Sequence, residues 1–217
     1  CHPNIMTKTQ KRLTVWTIVA VVIGFIVYVA ILGAQSSTSS STIPAVTASD
    51  HVSGPLTAKA VLIEYSDFQC PACGAYAPIV RQVKQQYGDK LALVYREFPL
   101  RQTHKYAQLA AQAGEAAAQQ GKFWEYHDLL FERQASWPQT LNVKQTFVDY
   151  AKELGLDETK FNTDFDSQAV KDRINIDVAS GTAAKIPGTP TFFLNGQRIN
   201  PQSYNDFKNA IDPLLSA

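Results

Sequence analysis

The chain of 217 residues is short of several things. It has three cysteines and a single methionine, Met6. Three cysteines cannot staple a small domain that lacks a core of its own. Only 18% of residues are charged, and twenty Lys and Arg nearly cancel nineteen Asp and Glu, leaving +1. No basic field exists to hold nucleic acid. Acid is absent altogether before Asp50, where Lys8, Lys11 and Arg12 stand alone; the rest of the chain carries a slight acidic excess. No internal repeat is found. What is present is apolar: 45% of residues are hydrophobic, enough for one ordinary globular domain with some chain to spare.

The spare chain lies at the N-terminus. Leu13 to Leu32 is a run of 20 residues without a charge. At about 1.5 Å per residue such a helix matches the ~30 Å hydrocarbon layer, and Trp16 and Tyr28 stand near its ends. The run is longer than the apolar part of a signal peptide, and Ile31-Leu32-Gly33-Ala34 is a poor cleavage site. The reading is an uncleaved signal anchor over 13–34. It leaves a basic cytoplasmic tail over 1–12 and sends everything beyond to the outside. Cys1 to Ile5 read as mistranslated sequence upstream of Met6, and Cys1 receives no function. Gln35 to Lys59, with its unbroken Ser/Thr run from Ser36 to Thr42, reads as a flexible linker.

The globular part is expected over 60–217. Ala60 to Tyr65 is nearly all apolar and suits a central strand buried on both faces. A helix then runs to about Tyr87, Gly88-Asp89 stops it, and Leu91 to Tyr95 forms a second strand. A strand–helix–strand unit implies a parallel pair. Residues 101–185 are rich in Ala, Gln, Glu and Lys. They read as several helices broken at Gly121, Ser136-Trp137-Pro138 and Gly155-Leu156-Asp157. Thr191 to Leu194 is a third strand. Asn195-Gly196 is a hairpin turn into a fourth strand, and Ser203 or Asn205 caps a final helix.

The chemistry centres on Cys70-Pro71-Ala72-Cys73, at the junction of a buried strand and a helix. Pro71 suits the first helical position. Cys70 then sits beside the free N–H groups and the positive end of the helix dipole, which favour a thiolate. Cys73, one turn on, can reach the same sulfur. A zinc site needs four ligands, and neither His104 nor His127 has the spacing to complete one. A C-x-x-C beside a βαβ pattern reads as a thioredoxin-like redox pair. No metal, haem, nucleotide or other cofactor is implied.

The motifs Glu64-Tyr65-Ser66-Asp67-Phe68-Gln69-Cys70-Pro71-Ala72-Cys73, Arg96-Glu97-Phe98-Pro99-Leu100, Gly121 to His127 and Pro187-Gly188-Thr189-Pro190-Thr191-Phe192-Phe193 occur in this order. Through them the chain resembles the DsbA-like thiol:disulfide oxidoreductases, and more narrowly their membrane-anchored type. The resemblance implies an α/β, thioredoxin-like fold with an inserted helical domain at about 101–185. A transmembrane helix and a Ser/Thr-rich linker would precede it. Cys70 would be the attacking thiol and Cys73 its buried partner. Pro190 would be the family's cis-proline, and Thr189, Pro71 and Ala72 would meet the substrate. Glu64, six residues before Cys70, would exchange protons with Cys73; burial within an apolar strand should perturb its carboxyl strongly.

The other motif residues have plainer roles. Phe123, Tyr126, His127 and Leu130 share one helical face and read as core; His104 reads as structural and Asp67 as a turn residue. One departure matters. Pro71-Ala72 lacks the histidine of the strongly oxidising Cys-Pro-His-Cys motif, so this pair should be the milder oxidant.

The resulting expectation is an extracytoplasmic, single-pass, monomeric thiol oxidase acting on reduced exported polypeptides. A quinone-linked membrane protein of DsbB or VKOR type would reoxidise it. A disulfide isomerase or reductase of the same fold is the nearest alternative; a metal-binding or chaperone module using the cysteine pair as ligands is the alternative of another class.

Overall fold

A computed structural model describes residues 21–25, 43 and 45–216. Strands β1 (His51–Ser53), β2 (Ala60–Ser66), β3 (Leu91–Glu97), β4 (Thr191–Leu194) and β5 (Gln197–Ile199) form one sheet in the order β1-β3-β2-β4-β5. Only β2 and β3 run parallel; the other neighbours are antiparallel. Helix α1 (Pro71–Tyr87) makes the crossover between the parallel pair. Between β3 and β4 lie α2 (Ala107–Ala118), α3 (Phe123–Glu132), α4 (Val143–Glu153), α5 (Glu158–Asp166) and α6 (Gln168–Ala183). Helix α7 (Tyr204–Ser216) closes the described chain. This is a thioredoxin-like fold with a helical insertion, as the resemblance implies.

The layers follow from alternation along β2. Leu62 packs with Leu93, Phe192, Val80, Val83, Phe207 and Ile211 between the sheet and helices α1 and α7. Ile63 and Tyr65 point the other way, towards Val94, Phe193 and Ala184. The insertion has its own core, which includes Tyr126, Trp137, Phe147, Phe161 and Phe165, and it extends through Phe68 and Tyr95 to Cys73. The redox pair therefore lies where insertion and sheet meet.

Local signals place the turns. Asn195 (φ 47°) and Gly196 (φ 81°) supply the two positive φ angles that a tight hairpin needs. Asn195 also ties the turn to β2, accepting from Val61 N at 2.7 Å. Ser203 accepts from Asp206 N at 3.3 Å and caps α7. Gly121 and Gly155 (φ 73° each) end helices at the expected breaks.

Two expectations need correction. No helix among the described residues is long and apolar enough to cross a membrane. Within 13–34 only residues 21–25 are described, in a separate N-terminal unit. They are helical and exposed. The rest of 13–34, and residues 1–12, lie outside the described residues. The membrane-anchored type is thus not supported. The single-pass topology, the extracytoplasmic placement and the quinone-linked DsbB- or VKOR-type partner rest on that anchor and go with it.

The second correction concerns 35–59. Its later part is no linker: Ile43 is buried, and β1 pairs with β3 from His51↔Tyr95 to Ser53↔Leu93. Asp50 meets Arg96 at 2.7 Å, with 4% and 3% of their side chains exposed. Arg96 also donates to Ala45 O, and Arg173 donates to Ser49 O. Composition suggests coil here because the segment is held by long-range partners and not by an apolar pattern of its own. On the other side of β3, pairing with β2 from Tyr65↔Arg96 to Ser66↔Glu97 carries the strand two residues beyond the apolar run.

Candidate active site

The turn Asp67 to Cys70 joins β2 to α1, and several anchors hold it. Cys70 N donates to Asp67 O at 3.0 Å. The Asp67 carboxylate accepts from Gln69 N and Leu100 N and meets His104 Nδ1 at 2.7 Å. His104 is therefore structural, and Asp67 is a buried anchor as well as a turn residue. Cys70 takes the N-cap position of α1 in an extended conformation, with Pro71 first in the helix. Both cysteines are free thiols. Cys70 is 6% exposed and Cys73 fully buried, while Pro71 and Ala72 between them are exposed.

The two thiols are electrostatically opposite. Cys70 is lowered to about 5: the Cys73 thiol donating to its sulfur is the largest cause. Burial works against the shift, and the Cys73 N–H, the Thr189 hydroxyl and the Ala72 N–H add to it. The sulfur makes no regular capping bond, so the helix N-terminus acts by proximity of its N–H groups. Cys73 is raised far above an ordinary thiol, chiefly by burial, then by Cys70 and by the Glu64 carboxylate.

Thr189 approaches from the segment that leads into β4, the neighbour of β2 in the sheet. The Cys70 thiol donates to Thr189 O at 3.4 Å. The Thr189 hydroxyl is buried and has no hydrogen-bond partner among the described residues, which leaves it free to turn to the Cys70 anion. The Thr189–Pro190 peptide is cis. Beside it, Tyr76, Pro190, Phe192, Ile199 and Pro201 line a shallow groove, and Tyr76 OH donates to Pro201 O at 2.7 Å.

Glu64 is 3% exposed on the α1 face of β2. Burial raises its carboxyl to about 7, opposed weakly by the Ser66 hydroxyl. Glu64 also lines a cavity of about 150 Å³ with Ala77, Val80, Leu93, Trp124 and His127. That volume has ample room for water.

All the residues singled out from sequence thus converge: Cys70, Cys73, Glu64, Thr189 and Pro190 around the sulfurs, Pro71 and Ala72 at the surface above them. His127 lies on the cavity wall within the aromatic core. Sequence reasoning overlooked Ser66 and Gln134. Ser66 follows Glu64 by two residues, so strand alternation alone puts both on one face. Gln134, which donates to Phe68 O and Cys70 O at 2.8 Å each, carries no local signal; the neighbouring Gly74 marks the close approach. Among the described residues no group of three or more His, Cys, Asp or Glu is placed to hold a metal ion.

Known structures share this fold. BdbD from Bacillus subtilis (oxidised) superposes with a TM-score of 0.69 at 23% identity, covering 81% of this chain and 97% of that one. Wolbachia pipientis alpha-DsbA1 gives 0.69 at 22% identity, covering 80% and 94%. At such identities these structures show the fold. Among curated sequences, Na(+)/H(+) antiporter NhaA 3 of Salinispora tropica is 41% identical over 170 residues, which are 78% of this chain and 25% of the antiporter. The chain spans about a quarter of the length of the curated relatives it matches. The thioredoxin family model Thioredoxin_4 matches residues 47–213. The chain therefore belongs to the thioredoxin family.

Proposed function

We propose that the protein oxidises dithiols in other polypeptides, with the Cys70–Cys73 disulfide as acceptor of the electron pair. The observation that carries this direction is the depressed Cys70 thiol, lowered to about 5. A stabilised reduced form makes the corresponding disulfide oxidising.

A substrate thiolate attacks the Cys70 sulfur, forming the mixed disulfide and breaking the bond to Cys73. Cys73 leaves into a buried, apolar place where its anion is strongly disfavoured, so it needs a proton. Glu64, raised to about 7, is half protonated near neutrality and supplies it. It recovers its proton through the adjoining cavity. The second substrate thiolate then attacks the substrate sulfur of the mixed disulfide, and Cys70 departs as a stable thiolate. Two electrons have passed to the cysteine pair. Of the two substrate protons, one replaces that given to Cys73 and one goes to solvent. Thr189 presents its backbone to an extended substrate segment beside Cys70, and the exposed Pro71-Ala72 leaves the approach open.

The test is stoichiometric transfer. Oxidised full-length chain is mixed with a reduced two-cysteine peptide, and thiols are counted on both. The proposal expects one peptide disulfide per Cys70–Cys73 disulfide consumed, and none with Cys70→Ser. A pair that leaves the peptide reduced, while its dithiol form reduces insulin rapidly, would make the protein a reductase.

A further inference from the structure

The helical insertion reaches the Cys70 backbone itself through a residue that the chemistry above does not use. Gln134 lies in the turn that follows α3. Its Nε2 donates to Phe68 O and to Cys70 O, at 2.8 Å each. Both partners are carbonyls, so the amide must present its nitrogen to them, and its two N–H groups are matched one to each. The Cys70 carbonyl also accepts from Gly74 N at 3.1 Å, in the first turn of α1. The orientation of this carbonyl sets the first peptide planes of the helix. It thereby sets the aim of the Ala72 and Cys73 N–H groups at the Cys70 sulfur.

Gly74 makes the contact possible. A Cβ built there would overlap Gln134 Oε1 and stand 2.8 Å from its Cδ. The three atoms nearest that Cβ all belong to Gln134. Gly74 lies inside a helix, where alanine is favoured over glycine by about 1 kcal/mol. A glycine in this place gives up helix stability and keeps room for the amide.

We propose that Gln134 is a positioning residue for the redox centre: through the Cys70 carbonyl, and with the space left by Gly74, the helical insertion holds the start of α1 in the geometry that stabilises the Cys70 thiolate. The proposal rests on Cys70 being the attacking thiol, but not on the direction of electron flow.

The experiment follows Cys70 ionisation by thiolate absorbance against pH, and the redox equilibrium with glutathione, in full-length wild type, Gln134→Ala, Gly74→Ala and the double variant. A hydrogen bond of ordinary net strength predicts an upward move of the Cys70 midpoint by about 0.5–1 pH unit. The disulfide should become about three- to tenfold less oxidising against glutathione in either single variant. The double variant should match the singles, because both changes remove one contact. In Gly74→Ala the gain in helix propensity offsets the lost contact, so the shifts in midpoint and glutathione equilibrium should appear with little change in thermal stability. Unchanged midpoints and glutathione equilibria in folded Gly74→Ala would overturn the proposal, as would effects that add in the double variant. If Gln134→Ala does not fold, Gly74→Ala alone decides. A wild-type chain that fails to oxidise the peptide dithiol rejects the oxidase reading and leaves this comparison standing.

Discussion

The Cys70 thiol and the Thr189 carbonyl oxygen lie 3.4 Å apart although 119 residues separate them in the chain. One comes from the turn after β2, the other from the approach to β4, and the antiparallel pairing of β2 with β4, from Leu62↔Leu194 to Tyr65↔Thr191, brings them together. The reactive sulfur is thus shaped by two distant pieces of sequence, each held by the sheet.

The Thr189 hydroxyl lowers the Cys70 thiol and has no other partner among the described residues. Thr189→Val keeps the shape and removes the donor. A hydrogen bond to a charged group is worth about 1.5–3 kcal/mol, so the Cys70 midpoint should rise by about 1–2 pH units. Alkylation rate against pH reads this directly. Below the Cys70 midpoint stability should not fall, since an unpaired buried hydroxyl is replaced by a methyl; above it the reduced variant loses the bond to the thiolate and should be less stable than wild type.

Glu64 titrates at about 7 in the folded protein against 4.5 for a free glutamate. Below about pH 4.5 the carboxyl is neutral whether the chain is folded or not, and its burial carries no ionisation penalty. As pH rises towards 7 the unfolded chain releases the proton and the folded one retains it, so stability falls, by roughly 3 kcal/mol in all. Glu64→Gln should therefore gain stability relative to wild type between pH 5 and pH 8 in urea titrations. The same variant should oxidise substrate more slowly, because no proton awaits Cys73.

Burial alone would raise the Asp50 carboxyl, but Arg96, the Thr47 N–H and Arg173 outweigh it and hold it below the usual range. Asp50→Ala leaves the buried Arg96 guanidinium without this carboxylate. Removing one member of a buried pair costs about 3–5 kcal/mol, measured as a lower urea midpoint at pH 7. Because the Asp50 value is lowered, its contribution is present above the ordinary carboxylate range and is lost as pH falls through the folded value. The difference between variant and wild type should shrink in acid.

The redox centre was legible because its parts are local or recur in fixed motifs. Cys70-Pro71-Ala72-Cys73 contains the helix start, the N-terminal thiol and its neighbour one turn on. Asn195-Gly196 contains the φ requirements of its own turn. Features made by long-range contact were not legible. Asp50 and β1 lie in a stretch with the composition of a linker, and only their partners Arg96 and Tyr95 reveal them as part of the sheet. Arg96-Glu97 look like a strand end until their pairing with Tyr65 and Ser66 of β2 is in place. Gln134 is an ordinary polar residue in a helical block, and nothing near it in sequence shows that it reaches Cys70. The apolar run over 13–34 has the length of a membrane span by hydropathy, and the described residues contain no such helix.

The measurement that tests the account most directly is the equilibrium reduction potential of the Cys70–Cys73 pair in full-length protein, poised in glutathione buffers with Cys70→Ser as control. A thiolate held at about 5 predicts a value well above the ~ −270 mV of thioredoxin, towards the ~ −120 mV of DsbA. A value at or below that of thioredoxin would contradict an oxidase.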